Sequence, residues 1–106
     1  MILTTTHEIP EKKVIKTLDL VKGNTIRARN IGRDIIAMLK NLLGGEIEEY
    51  TKLLAESREQ AADRMIASAE ELGANAIIGI RFSTSYIMQS AAEIMVYGTA
   101  VVVEDE

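Results

Sequence analysis

The 106-residue chain holds few side chains able to do metal or covalent chemistry. His7 and Glu8 place an imidazole beside a carboxylate, a pair that suits zinc or nickel. Because the sequence has a single histidine, a site there would need further carboxylates or symmetry-related copies. The plainer reading is a surface pair following an edge strand. Glu46, Glu48 and Glu49 fall in the first turn of a long helix, where a hard cation could sit but where the helix dipole favours carboxylates anyway. Gly44-Gly45 just before that helix could cradle a phosphate, yet no lysine follows in P-loop spacing, and a tight helix–helix turn accounts for the pair. Arg27, Arg29 and Arg33 form the densest basic cluster. Against an RNA reader stands the aromatic count, three tyrosines and one phenylalanine, since such readers stack bases on exposed rings. Arg81 and Glu93 interrupt otherwise apolar strands, and a buried charge must be paired. Counting outward from Gln89-Ser90 does not set them opposite each other, so an intersubunit partner is expected for Arg81, with a ligand anion as the sharper alternative. Ser83 and Ser85 have no neighbouring base to make either a nucleophile.

Composition narrows the field further. The absence of cysteine excludes disulfides, thiolate zinc sites and cysteine nucleophiles. Twelve basic against sixteen acidic residues give a net charge of −4, with no global attraction to nucleic acid or an anionic membrane. Hydrophobic residues at 47% and charged residues at 26% indicate a globular chain, and residues 1–106 are expected to form a single domain. The chain begins without a basic segment leading into an apolar one, and no apolar run approaches the ~20 residues that span a bilayer. A cytoplasmic location is the resulting expectation.

Several elements must position these residues. The first 28 or so residues read as extended, broken by Pro10 and bent at Lys22-Gly23-Asn24. Asn30 can cap a short helix carrying Ile31, Ile35, Leu39 and Leu42 on one face. A long helix over about 46–72 is the clearest element: Tyr50, Leu54, Ser57, Ala61, Met65, Ser68 and Leu72 share a face, thickened by Ile66 and Ala69. Gly73 supplies the left-handed residue that ends many helices. Two strands follow, 75–88 and 92–104, joined across Gln89-Ser90, with Gly79 and Gly98 inside them. Residues 104–106 read as a frayed acidic tail.

The second of these strands is apolar on both faces. Ile94, Val96, Gly98, Ala100 and Val102 line one; Met95, Tyr97, Thr99, Val101 and Val103 line the other. A strand with one wet face alternates apolar and polar residues, and no predicted element remains to cover the second face. Met95, Tyr97, Thr99, Val101 and Val103 are therefore expected to form an intersubunit surface.

The runs Gly44-Gly45-Glu46-Ile47, Ala61-Ala62-Asp63-Arg64-Met65, Leu72-Gly73-Ala74-Asn75-Ala76-Ile77-Ile78-Gly79 and Tyr97-Gly98-Thr99-Ala100-Val101, in that order, resemble the YbjQ-like family of small uncharacterised bacterial and archaeal proteins. Thr4-Thr5-Thr6 and Asn30-Ile31-Gly32-Arg33-Asp34 fit as well, so the resemblance covers essentially the whole chain. It implies an α+β fold in two layers, an antiparallel sheet packed by one long helix plus a short helix in a dodecin-like subunit arrangement. It also implies a homopentamer and carries a heavy-metal-binding label. Where the family often reads Gly-Glu, this chain has Gly23-Asn24, which removes a carboxylate. The expectation drawn from residues and resemblance together is a non-enzymatic, oligomeric, cytoplasmic protein that assembles or binds a small ligand. It needs no cofactor beyond a metal ion in the alternative reading, heavy-metal binding or sequestration, and neither nucleic acid nor a membrane is an expected partner.

Overall fold

The computed structural model describes residues 1–28, 47–88 and 91–106, with the side chains at 27–28, 47–53, 86–88 and 91–92 outside that description. The short helix expected from Asn30, the Gly44-Gly45 turn and the Gln89-Ser90 tip lie outside the described residues. The described elements run β1 (Ile2–Leu3), β2 (Lys12–Ala28), α1 (Ile47–Glu71), β3 (Ala76–Met88) and β4 (Ala91–Asp105).

The strands form one sheet in the order β1-β3-β4-β2. β4 pairs antiparallel with both β3 and β2, whereas β1 lies parallel to β3. The sheet is thus mixed, a correction to the wholly antiparallel expectation. The N-terminal residues run in the same direction as β3 because Ile2 N–H donates to the Asn75 carbonyl at 3.0 Å and Thr4 N–H to the Ile77 carbonyl at 3.1 Å.

The Lys22-Gly23-Asn24 bend is a second correction: β2 is continuous through it. Seventeen residues at about 3.3 Å each reach about 56 Å, and the molecule's longest dimension is 55 Å. The glycine serves packing instead. A Cβ on Gly23 would lie 1.9 Å from the Ala61 carbonyl oxygen and 2.6 Å from the Met65 nitrogen, so helix and strand meet backbone to backbone.

Small residues on α1 permit that approach. Ser57, Ala61, Met65 and Ala69, each four residues from the last, are buried. Ser68 and Leu72, expected on the same face, are exposed; from Met65 the buried line steps on to Ala69 and passes both of them. The core joins this face to Val21, Ile77, Ile80, Val96 and Ala100. Fully burying a Met or Ile side chain contributes on the order of 2 kcal/mol. The helix ends at Gly73, in the left-handed region at φ 85°. Gly73 N–H donates to the Glu70 carbonyl at 3.0 Å and Ala74 N–H to the Ala69 carbonyl at 3.1 Å, the paired bonds of a Schellman cap.

Residues 104–106 are not a frayed tail. β4 continues to Asp105, Lys12 pairs with Asp105 and Lys13 with Glu104 across the strands, and Glu106 N–H reaches the Glu11 carbonyl at 3.1 Å. The Lys12 ammonium holds the Asp105 carboxyl below its ordinary range, first through their hydrogen bond and then through charge.

Candidate functional site

Side chains alternate across a strand, so α1 covers only one side of this sheet. Val21, Thr25, Ile94, Val96 and Ala100 on that side are buried, and Thr25 Oγ1 donates to the Ser57 carbonyl of α1 at 3.3 Å. The register puts Leu20 opposite Thr99, Lys22 opposite Tyr97, Asn24 opposite Met95 and Ile26 opposite Glu93 on the other side. There Leu20 is 63% exposed and Ile26 56% exposed, while Met95, Tyr97 and Thr99 are half-buried. The open face is therefore mixed: apolar Leu20, Ile26, Met95 and Tyr97 alternate with Lys22, Asn24, Glu93 and Thr99, and Arg81, Ser83 and Ser85 of β3 stand in line with them; Asn24 Nδ2 donates to Glu93 Oε2 at 3.0 Å.

The five β4 residues expected to share one intersubunit surface divide in two. Val101 and Val103 are buried inside the subunit, packed with Ala76, Ile9 and Ile78. The element that covers them, missing from the sequence reading, is the N-terminal arch between β1 and β2. Met95, Tyr97 and Thr99 lie beyond its reach. Leu20 and Ile26 extend the open strip on β2 and were not singled out from sequence. Their signal was the one used for β4, apolar residues at both parities of one strand.

The arch is built from hydrogen bonds between close neighbours. Thr4 and Thr6 hydroxyls bond each other at 2.7 Å, and Thr6 Oγ1 donates to the Glu8 carbonyl at 2.7 Å. Gly79 N–H donates to the Thr6 carbonyl at 2.9 Å and Ile80 N–H to the Thr4 carbonyl at 3.1 Å. Arg81 Nη1 donates to the Thr5 carbonyl at 2.7 Å and to the Ile80 carbonyl at 2.8 Å. These bonds anchor the exposed Arg81 within the subunit through one of its nitrogens and do not bear on the intersubunit partner expected for it. Arg81 stands opposite Tyr97 and Glu93 opposite Ser85, so they do not face each other, as the sequence count indicated. The arch closes at Ile9-Pro10-Glu11-Lys12, where Lys12 N–H donates to the Ile9 carbonyl at 3.1 Å and Glu11 has φ 64°, a type II turn.

His7 and Glu8 are exposed on this arch. A Cβ on Gly79, which has φ 63°, would sit 3.3 Å from the His7 ring, so the imidazole lies against the strand backbone. An open cleft of about 730 Å³ adjoins them, bordered by His7, Glu8, Glu11, Lys12, Lys13 and Glu106. Its charges are mixed, and both lysines are paired with β4 carboxylates. Among the described residues, no three His, Asp or Glu side chains come together as a metal site would require. Gly73, Gly79 and Gly98 are described; Gly44, Gly45, Arg29, Arg33, Glu46 and the side chains of Arg27, Glu48 and Glu49 are not. Gly98 is a close-approach position, where a Cβ would meet Ile77 Cγ2 at 2.7 Å.

Comparison with known proteins bears on these residues. Residues 1–104 match the YbjQ family, described as "Putative heavy-metal-binding". A UPF0145 protein of Dehalococcoides mccartyi is 62% identical over 104 residues, 98% of this chain and 100% of the relative. A UPF0145 protein of Methanoculleus marisnigri is 55% identical over 101 residues, 95% of this chain and 94% of the relative. Among solved structures, a protein of unknown function of the DUF74 family from Pediococcus pentosaceus superposes with a TM-score of 0.66 at 16% identity, covering 98% of each chain. That likeness shows a shared fold. No described helix is long and apolar enough to cross a membrane.

Proposed function

The chain belongs to the YbjQ family of UPF0145 proteins, and from that premise we propose that it is a non-catalytic, cytoplasmic subunit that acts by assembling with copies of itself. The observation that carries this reading is the open sheet face, where Leu20 and Ile26 are 63% and 56% exposed beside half-buried Met95 and Tyr97. Soluble proteins keep contiguous apolar patches small unless something binds them. Exposed aliphatic residues interleaved with polar ones suit a subunit interface, whose composition is mixed. The ring of five and the dodecin-like packing implied by the resemblance belong to this proposal.

The family's heavy-metal description does not fit the described residues. His7 rests on the Gly79 backbone, Glu8 is exposed, and no third donor of their kind joins them. No step is assigned to a metal. Incubation with zinc, copper, nickel or cadmium followed by desalting is expected to leave substoichiometric metal; one ion retained per chain would restore the metal-binding reading.

Light scattering coupled to size exclusion tests assembly. The expected mass at micromolar concentration is a multiple of 11.7 kDa, and Ile26→Glu is expected to lower it by placing a carboxylate in the strip. Val101→Glu would be a poor probe, because Val101 is fully buried within the subunit. A wild-type mass of one chain overturns the proposal.

A further inference from the structure

The open face of the sheet carries two cations that no described residue neutralises. Lys22 of β2 and Arg81 of β3 stand opposite Tyr97 of β4 from its two sides, so an ammonium, a phenol and a guanidinium form one row across three strands. Both cations are exposed and Tyr97 is half-buried. The ion pairs among the described residues, Lys12–Asp105 and Lys13–Glu104, lie at the other end of β2. Around the row, the face offers one carboxylate, Glu93. It stands four residues, about 13 Å, along β4 from Tyr97, and Asn24 Nδ2 already donates to it.

Arg81 is held in place before any ligand arrives. Its Nη1 donates to the Thr5 carbonyl at 2.7 Å and to the Ile80 carbonyl at 2.8 Å. A guanidinium has five donors in one plane, so the Nε–Nη2 edge keeps the two-pronged fork that matches phosphate and carboxylate oxygens. Among the described residues that edge, the Lys22 ammonium and the Tyr97 hydroxyl have no partner. Both Nη1 anchors lie on the outer side of β3, since Ile80 N–H reaches the Thr4 carbonyl there. Two strand spacings, about 10 Å, already separate the backbones of β2 and β3. The row therefore holds positive charge at each end and a hydroxyl between. A single carboxylate would use the fork alone, whereas an anion with charge repeated along a line meets all three groups.

We infer that Lys22, Tyr97 and Arg81 bind a linear oligophosphate group, free or carried on a nucleoside. The site shares its face with the self-assembly proposed above but takes every donor from one subunit, so it goes beyond that reading. The two are compatible for an electrostatic reason. Lys22, Arg81 and Glu93 leave each copy a surplus of one positive charge on this face, and identical copies bring the same surplus. A covering copy does not neutralise it; a bound anion does.

Isothermal titration calorimetry in chloride buffer tests the row, with tripolyphosphate, adenosine triphosphate and citrate as probes. Saturable binding of tripolyphosphate is expected. Binding of adenosine triphosphate as well assigns the nucleoside-borne group, and tripolyphosphate alone assigns the free chain. Citrate bound as tightly overturns the assignment to phosphate. Lys22→Gln is expected to weaken tripolyphosphate about tenfold or more, and Arg81→Lys to weaken it too, because the charge stays but the fork is lost. Lys16→Gln is the control: it removes the same charge opposite Val102, on the other side of the sheet, and is expected to bind as wild type. Lys16 and Lys22 are both exposed, so both variants are expected to keep the wild-type circular dichroism. Equal weakening by the two lysine variants, or none by Lys22→Gln, overturns the row. Light scattering on the same samples separates the two proposals. An assembled wild type that binds no tripolyphosphate overturns the row and leaves self-assembly standing; a monomer that binds it does the reverse.

Discussion

Asn75 stands one residue before β3, and its carboxamide takes the place of a rung of sheet. Nδ2 donates to the Val103 carbonyl at 2.9 Å and Oδ1 accepts from the Val103 N–H at 2.8 Å. Only a carboxamide offers donor and acceptor in that fork. Asn75→Asp keeps the acceptor and turns a carboxylate oxygen toward the carbonyl, which is expected to cost about 1–3 kcal/mol in urea unfolding at neutral pH. The carbonyl raises the folded-state pKa of that new carboxyl, because only the protonated form can donate to it. The variant's deficit against wild type should therefore shrink as pH falls below about 4 and return as pH rises; a deficit independent of pH would rule the fork out. Glu11 offers the opposite experiment. At φ 64° it holds a left-handed conformation that costs an L-residue about 1–2 kcal/mol. Its main-chain role, accepting from Glu106 N–H at 3.1 Å, survives substitution. Glu11→Gly is expected to raise the thermal midpoint, the relief of strain exceeding glycine's extra entropy cost of about 0.5–1 kcal/mol. An unchanged or lower midpoint would count against strain at this turn.

At the scale of elements, local signals carried the reading and non-local ones escaped it. The long helix, its stop at Gly73 and the β3–β4 hairpin follow from periodicity, a single glycine and two β-rich runs, each readable within a short window. Lys22-Gly23-Asn24 looks like a turn in the same window, because glycine and asparagine are turn residues. What holds β2 straight there is α1 against Gly23, a contact across some forty residues of sequence. An isolated glycine in a strand also marks close backbone approach, and that was the alternative signal. The parallel pairing of β1 and the cover Ile9 gives Val101 and Val103 are non-local in the same way. So the open strip was legible at Met95, Tyr97 and Thr99 and misjudged at its arch-covered end. Gly23→Ala tests the element contact. Its methyl has no room 1.9 Å from a backbone oxygen, and the obstacle is main chain that cannot rotate away. A loss of about 3 kcal/mol or more is expected, against Gly73→Ala, where nothing lies within 4 Å of the added carbon and only the left-handed φ is penalised, at about 1–2 kcal/mol. Equal losses would mean that α1 shifts freely on β2.

The whole molecule spans 55 × 24 × 17 Å and spends its one described helix on one side of the sheet. The 25-residue helix covers about 37 Å of that side, while on the opposite side the arch covers Val101 and Val103. The remaining side keeps its apolar strip. If copies bury that strip, subunit folding and assembly are linked equilibria, and association stabilises the folded state by mass action. The thermal midpoint should then rise with protein concentration; an isolated two-state monomer gives one midpoint at every concentration. Ile26→Glu supplies the control, because Ile26 is 56% exposed within the subunit and its replacement removes little intrachain packing. The variant is expected to lose the concentration dependence while keeping the low-concentration midpoint of the wild type. A wild-type midpoint that stays fixed over a hundredfold dilution, with the mass still that of an oligomer, would show that subunits are stable alone and that the strip adds nothing to folding.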